Sequence, residues 1–183
     1  MVFGVLAVLG LLVVWVVLTY NRLVHLRNRR EEAWAGIDVQ LQRRADLVPS
    51  LVETVKGYAG HEDAVLREVT EARAAVTQAT GPAESGAADE RLTGALRSLF
   101  AVSEAYPDLQ ASANFLSLQK ELATVEEELA FARRYYNAVV EDLNTAVQRF
   151  PTLLLAGPLG FERAAYFQAD SDARSVPAVD LDR

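Results

Sequence analysis

The sequence predicts an all-α protein, with an N-terminal transmembrane helix followed by a body built as a long antiparallel helical hairpin or four-helix bundle. Three observations predict this fold. An uncharged apolar run opens the chain, apolar residues recur at helical spacings through the remainder, and the alternation typical of strands is scarce. Alanine, leucine, valine, glutamate and arginine dominate the composition, as they do in long helices.

Residues 2–18 carry no charged or polar side chain. A helix needs about 20 apolar residues to span a bilayer, with about 17 as the lower limit. A cleaved secretory signal would need a basic segment before the run and a small-x-small cleavage site after it, and Tyr20, Asn21 and Arg22 do not supply one. A buried core helix is rarely apolar on every face over this length. We therefore expect residues 1–20 to be an uncleaved membrane anchor.

The charges around this run predict its orientation. Four arginines follow it within a few turns, and no lysine or arginine precedes it. Basic flanks stay in the cytoplasm, and amphipathic rings favour the interface, so we expect an outer N-terminus and a cytoplasmic body at the inner (cytoplasmic) membrane. We call the basic and aromatic residues at this boundary the membrane collar: Trp15, Tyr20, Arg22, Arg27, Arg29 and Arg30.

Composition restricts the rest of the chain. After the anchor about 160 residues remain, enough for one domain, which we assign to residues 21–168, with residues 169–183 as a loose acidic tail. The net charge of −7 argues against nucleic acid as a partner. The chain has no cysteine, which excludes disulfides, thiolate catalysis and cysteine-ligated metals.

Four features predict where the helices break. Pro49 should kink or restart a helix, with Asp46 as its cap. Residues 57–61 contain two glycines and form a second weak point. Residues 80–88 are rich in glycine, proline, serine and alanine, and we expect them to form the tip of a hairpin. Tyr106-Pro107 should end the helix that follows.

The segment 108–150 carries the strongest helical pattern. Its apolar residues alternate four and three positions apart, a 3.5-residue period that favours left-handed helix-on-helix packing. This stripe comprises Leu118, Leu122, Val125, Leu129, Ala132, Tyr136, Val139, Leu143, Ala146 and Phe150. We expect it to face the core, and Pro151 to end the helix.

Tests for catalytic and metal sites give negative results. His61-Glu62 lacks the second histidine that a zinc protease helix requires four positions later. The triplet 126–128 is three glutamates without the Glu-x-x-His pairs of a bundle metal site, so a solvated face is the expected role. Phosphate-binding loops and nucleophile elbows are absent from the sequence. We therefore predict no catalytic residue, no cofactor and no metal.

Arg43, Arg44 and Asp46 form the only charged cluster for which we keep two interpretations. They could form a surface that binds a partner protein. Alternatively, they could form an intramolecular network in which Asp46 also caps the turn at Pro49, since charged residues beside a helix break commonly serve caps and local pairs. The second interpretation is the favoured one.

Several of these landmarks together resemble the LemA family of bacterial membrane-anchored helical proteins. The resemblance covers nearly the whole chain. Its most specific motifs are Arg43-Arg44-Ala45-Asp46-Leu47-Val48-Pro49, Lys56-Gly57-Tyr58, Ala105-Tyr106-Pro107, Arg133-Arg134-Tyr135-Tyr136-Asn137 and Gly160-Phe161. It implies one N-terminal membrane helix, a short outer N-terminus and a body of long antiparallel helices. It supplies no mechanism.

These observations favour a non-enzymatic, membrane-anchored helical scaffold. Its expected partners are the lipid bilayer, further copies of the same chain and an unidentified protein. A signalling adaptor facing the cytoplasm and a non-catalytic subunit of a membrane enzyme complex are the alternatives. An enzyme would need a pocket with convergent polar groups, and the sequence indicates none.

Overall fold

The computed structural model describes residues 1–167, which contain α-helices and turns and no strand. The six helices are α1 (Val2–Lys56), α2 (Asp63–Gln78), α3 (Gly81–Ser103), α4 (Pro107–Gln110), α5 (Ala113–Gln148) and α6 (Leu153–Ala156). The predicted all-α fold is confirmed. The predicted loose acidic tail, residues 169–183, lies outside the described residues.

The N-terminal part of α1 has the properties of a membrane-spanning helix. An 18-residue window within it has a mean hydropathy of 2.8, and only 6% of that window is buried. Residues 2–14 are all exposed, although every one of them is apolar or glycine. A core helix of a soluble protein would be mostly buried, so this helix supports membrane anchoring.

The chain divides into two compact units. Unit 1 contains Met1–Ile37 and Ala130–Tyr166, and unit 2 contains Asp38–Leu129 together with Phe167. Helices α1 and α5 each contribute residues to both units. The predicted domain bounds of 1–20 and 21–168 remain a prediction.

Unit 2 is an arrangement of four long helices. Helices α2 and α3 pack against each other, the Arg44 side chain of α1 reaches α3 and α5, and the Arg73 side chain of α2 reaches α1. The face predicted for α2 is buried as expected: Leu66, Val69, Ala72 and Val76. At one end of the unit, the rings of Phe100 and Phe115 meet edge to face with centroids 6.2 Å apart, which connects α3 with α5.

Unit 1 pairs α1 with α5 in an antiparallel sense. The rings of Trp34 and Tyr136 meet at 5.7 Å, and a buried cluster joins Leu23 and Leu26 to Leu143 and Ala146. Later residues of α5 therefore lie beside earlier residues of α1. The segment after α5 folds back onto this pair, because Asn144 donates from Nδ2 to the Ala164 carbonyl (3.0 Å) and accepts the Ala164 amide at Oδ1 (2.7 Å).

Pro49 does not restart a helix, contrary to that part of the prediction, because α1 continues through it to Lys56. Proline removes one backbone donor, which leaves the carbonyl of Ala45 without its helical partner. In this chain Arg73 of α2 replaces that donor, because its Nε lies 2.9 Å from the Ala45 oxygen. Asp46 also does not cap a new helix, and it accepts a hydrogen bond from Gln42 Nε2 at 3.0 Å instead. A tertiary contact thus compensates for a local defect that sequence rules treat as a break.

This compensation gives a testable coupling between Pro49 and Arg73. Replacing Arg73 with Met should lower the free energy of unfolding by about 1–3 kcal/mol, because the carbonyl of the buried residue Ala45 loses its donor. In a Pro49→Ala background the residue 49 amide can supply the hydrogen bond, so the same replacement should cost about 1 kcal/mol less. Urea unfolding of the full chain in mild detergent measures all four variants. Equal costs in both backgrounds would contradict this explanation.

Helices α2 and α3 form a hairpin at the predicted place, but the predicted loop at residues 80–88 is too long, because α3 begins at Gly81 and only Ala79 and Thr80 separate it from α2. Gly81 adopts φ 73°, which turns the chain, and Pro82 lies in the first helical turn, where its missing amide has no cost. Glu84 accepts hydrogen bonds from the amide (3.1 Å) and the hydroxyl (3.0 Å) of Thr80. These two donors lower the pKa of Glu84. The glycine and proline therefore start a helix here.

Helix α5 confirms most of the predicted 3.5-residue stripe. Eight of its ten members are buried: Leu118, Leu122, Val125, Leu129, Tyr136, Val139, Leu143 and Ala146. Ala132 is half-buried. The helix starts later than predicted, since α4 and a turn precede it. Phe150 is 73% exposed and does not belong to the stripe. The reason is that α5 ends at Gln148, so helical periodicity no longer places residue 150.

Candidate interaction surface and membrane collar

Arg43 and Arg44 are neighbours on α1, but their side chains have opposite environments. Consecutive residues of an α-helix lie about 100° apart around the axis, since a turn takes 3.6 residues. Arg44 is in phase with Ile37, Leu41 and Val48, which are all buried. Its side chain is therefore directed into unit 2, whereas that of Arg43 is half exposed.

Arg44 is the centre of a buried ionic network. Only 3% of its side chain is exposed. Nη1 donates to Asp89 Oδ1 at 2.5 Å and to Thr93 Oγ1 at 3.0 Å, both on α3. Nη2 donates to Glu126 Oε1 on α5 at 2.8 Å. One guanidinium thus holds together three helices of unit 2.

Burial sets the electrostatics of this network. Desolvation lowers the pKa of Arg44, and the nearby carboxylate of Glu126 opposes that effect. The guanidinium remains protonated at neutral pH because arginine starts from a very high value. A buried charge is costly unless it is paired, and Asp89, of which 4% of the side chain is exposed, provides the buried counter-charge.

Arg43 and Asp46 remain at the surface. Arg43 Nη1 forms an ion pair with Glu128 Oε2 at 2.5 Å, and both side chains are about half exposed. Asp46 is exposed and accepts its hydrogen bond from Gln42, one turn earlier on the same helix. The structure therefore separates the three predicted residues. Arg44 takes part in an intramolecular network, and an interaction surface built on Arg43 and Asp46 remains a prediction.

Sequence reasoning did not identify the acidic partners of the two arginines. Asp89 lies three residues before Leu92, in phase with the buried Leu96 and Leu99 of α3. An acid in phase with an apolar stripe is the signal that would have indicated a buried charge. The glutamates 126–128 are exposed, as expected, but two of them pair with arginines of α1.

The membrane collar lies where α1 leaves its apolar segment. Tyr20 packs edge to face on Phe161, with ring centroids 5.9 Å apart, and the Arg27 guanidinium lies over the same ring at 5.0 Å. Arg30 pairs with Glu31 at 3.5 Å. Arg22 is exposed, while Trp15 and Arg29 are half-buried. Part of the collar thus contacts the segment that follows α5.

Cavities lie in both units of the described residues. In unit 1 a cavity of about 210 Å³ is lined by Arg27, Arg30, Phe161 and Arg163, among others. In unit 2 a cavity of about 530 Å³ lies between the end of α1 and α2. Within residues 1–167, no three histidine, aspartate or glutamate side chains are grouped so as to hold a metal ion.

Comparison with known proteins gives one family and several relatives. The profile of the LemA family matches residues 33–181. Protein LemA of Metamycoplasma hominis is 28% identical over 166 residues, which cover 88% of this chain and 73% of that protein. Magnetosome protein MamQ 2 of Paramagnetospirillum magneticum is 26% identical over 205 residues, covering 98% of this chain and 75% of the relative. Magnetosome protein MamQ of Magnetospirillum gryphiswaldense is 25% identical over 186 residues, covering 87% and 68%.

Proposed function

Because this chain belongs to the LemA family, we propose that it is a non-enzymatic scaffold, anchored by one membrane helix, whose body lies in the cytoplasm and associates with other copies of itself. The observation that carries this proposal is the continuity of α1. This one uninterrupted helix contains the exposed apolar segment at its start, and it also contributes buried residues to both units.

Several features support a role without catalysis. Arg44 and Asp89 are both buried and pair with each other, and Arg44 also bonds the half-exposed Glu126, so the charges of this cluster are satisfied within the chain. A catalytic site usually combines a concave pocket with convergent polar groups. The names of the three relatives denote no reaction.

Exposed aromatic residues support self-association. Phe131 is 65% exposed and Tyr135 is 42% exposed, and they lie four residues apart on one face of α5. Aromatic side chains are enriched in the central part of protein interfaces. We expect this face to contact a second copy of the chain.

Cross-linking tests the proposed self-association, and the absence of cysteine from the chain makes single-cysteine variants clean. Tyr135→Cys in native membranes should give cross-linked dimers with a short bis-maleimide, whereas Arg67→Cys on α2 should give far fewer. Sizing of the unmodified chain in mild detergent should show an oligomer. Monomers alone in both measurements would contradict self-association.

A signalling adaptor is the second candidate, and the cavity of unit 2 favours it. Apolar residues Val52 and Leu66 line this cavity together with Lys56, Arg67 and Glu71, so it offers both contact area and charge. A photo-cross-linker at Arg67 should then trap one protein in stoichiometric amount, while the same group at Ala35 should not. If the cross-linker trapped only other copies of the chain, the scaffold would be favoured instead.

A further inference from the structure

Residues 150–161 form an apolar surface outside the anchor. These twelve residues, between Arg149 and Glu162, include no charged side chain. The large apolar side chains Phe150, Leu153, Leu154 and Leu159 are 73%, 45%, 58% and 38% exposed. Large apolar side chains that are exposed within ten positions of one another, rather than scattered singly, indicate a binding surface.

The register of α1 and α5 places this surface at the end of the membrane span. Trp34 faces Tyr136 in the antiparallel pair of unit 1. Helix α5 ends at Gln148, twelve residues after Tyr136, and Arg22 lies twelve residues before Trp34 on α1. Because Arg22 lies only four residues after Leu18, where the apolar run ends, the segment that follows α5 begins near the level where α1 leaves this run.

The burial of the last turn of the span supports this placement. Residues 2–14 are all exposed, whereas Thr19 is only 8% exposed and Trp15 and Val16 are half-buried. Ala156 and Phe161 join Leu23 and Leu26 in one buried cluster. The segment that follows α5 therefore packs against α1 at the membrane boundary and not further from it.

Cationic side chains flank the apolar surface. Arg27, Arg30 and Arg163 line the cavity of about 210 Å³ beside Phe161, with Glu162 as the acid among its lining residues. Segments that lie in the plane of a membrane combine leucine or phenylalanine on one side with lysine or arginine on the other. Long side chains on a helix are directed back toward its N-terminus, which for Arg27 is toward the bilayer.

We propose that residues 150–161 are a second membrane contact, lying in the boundary between headgroups and acyl chains beside the exit of α1. The occupant of this surface is the lipid bilayer, because the surface is continuous with the anchor in register and in hydrophobicity. The contact fixes unit 1 against the membrane at two points. It holds for either orientation of the chain, and it requires that α1 spans the bilayer.

Spin labels on single cysteines test this proposal in the full chain reconstituted into vesicles of phosphatidylcholine and phosphatidylglycerol. Labels at Phe150→Cys and Leu154→Cys replace exposed residues, so folding should be preserved. Ala35→Cys is the matched control in unit 1, since it is exposed and lies about 22 Å along α1 beyond Tyr20 at 1.5 Å per residue. Leu9→Cys reports on the span itself. Collision with oxygen, which concentrates in lipid, is compared with collision with a water-soluble nickel chelate.

The two reagents separate the outcomes. At positions 150 and 154 we expect an oxygen-to-nickel collision ratio several-fold above that at position 35 and below that at position 9. A ratio equal to that at position 35, with position 9 in lipid, would overturn the second contact and leave the anchor intact. Exclusion of both reagents at 150 and 154 would show that protein covers the surface, which also overturns the proposal. If the label at position 9 collided mainly with the nickel chelate, it would lie in water, and both the span and the second contact would be overturned.

Discussion

Replacing Arg44 with Met is expected to lower the free energy of unfolding by about 3–5 kcal/mol. The variant removes the guanidinium that neutralises the buried carboxylate of Asp89 and that also bonds Thr93 and Glu126. An uncompensated buried charge is among the few changes that produce losses of this size. Urea unfolding of the full chain in mild detergent provides the measurement.

The neighbouring arginine is the control for this prediction. Arg43→Met removes an ion pair with Glu128 in which both side chains are about half exposed, and such pairs contribute about 0–1 kcal/mol. The double variant Arg44→Met with Asp89→Leu should regain most of the lost stability, because it removes both buried charges together. If the two arginine variants lost equal stability, the interpretation of Arg44 as the centre of a buried network would be wrong.

Replacing Leu129 with Asp should also be severely destabilising, with a loss of about 4 kcal/mol or more. Leu129 is 2% exposed in the stripe of α5, and aspartate there would place an unpaired charge in a packed core. Leu116→Asp on the same helix is the control, since Leu116 is 52% exposed. It should cost about 0.5 kcal/mol or less, as surface substitutions usually do.

The thermal midpoint of the two α5 variants distinguishes the interpretations. The Leu129→Asp variant should melt far below the unaltered protein, and the Leu116→Asp variant should melt close to it. Similar melting of the two variants would mean that the 3.5-residue stripe does not face the core.

Periodicity predicted the helices well because burial enforces it. The buried face of α2 and the stripe of α5 through Ala146 both follow from spacing alone. The end at residue 150 was missed because α5 stops at Gln148, and a pattern cannot indicate where the helix that carries it ends. The weak point after Lys56 and the break at Pro107 were predicted correctly from glycine and proline.

One error arose because a distant residue changed the meaning of a local signal. Pro49 indicates a break because its lost donor is visible in the sequence, but the replacement donor on Arg73 is visible only in the structure. The partners of Arg44 in its intramolecular network were missed for a similar reason. Its charge pointed to a surface or a local network, whereas its partners Asp89 and Glu126 are 45 and 82 residues away. The loop predicted at residues 81 and 82 has a local explanation. Glycine and proline favour turns, which suggested a loop, but they are also found at the starts of helices, as they are here.

Charge inversion around the anchor tests what sets the topology. Arg22, Arg27, Arg29 and Arg30 lie within a few turns of the apolar run, where each cation gains about 1 kcal/mol beside anionic lipid. Acidic residues contribute little to orientation, so pairing of Arg30 with Glu31 should not cancel this bias. Replacing the four arginines with glutamine and adding two lysines before Val2 should invert the chain.

The location of the C-terminus tests the proposed function most directly. A reporter that is active only outside the cytoplasm is attached after Arg183 of the unaltered chain, and its activity is compared with that in the charge-inverted variant. We expect a silent reporter in the unaltered protein and an active one in the variant, with both chains present at equal levels in the membrane fraction. An active reporter in the unaltered protein would place the body outside the cytoplasm and contradict the proposed scaffold on the cytoplasmic face.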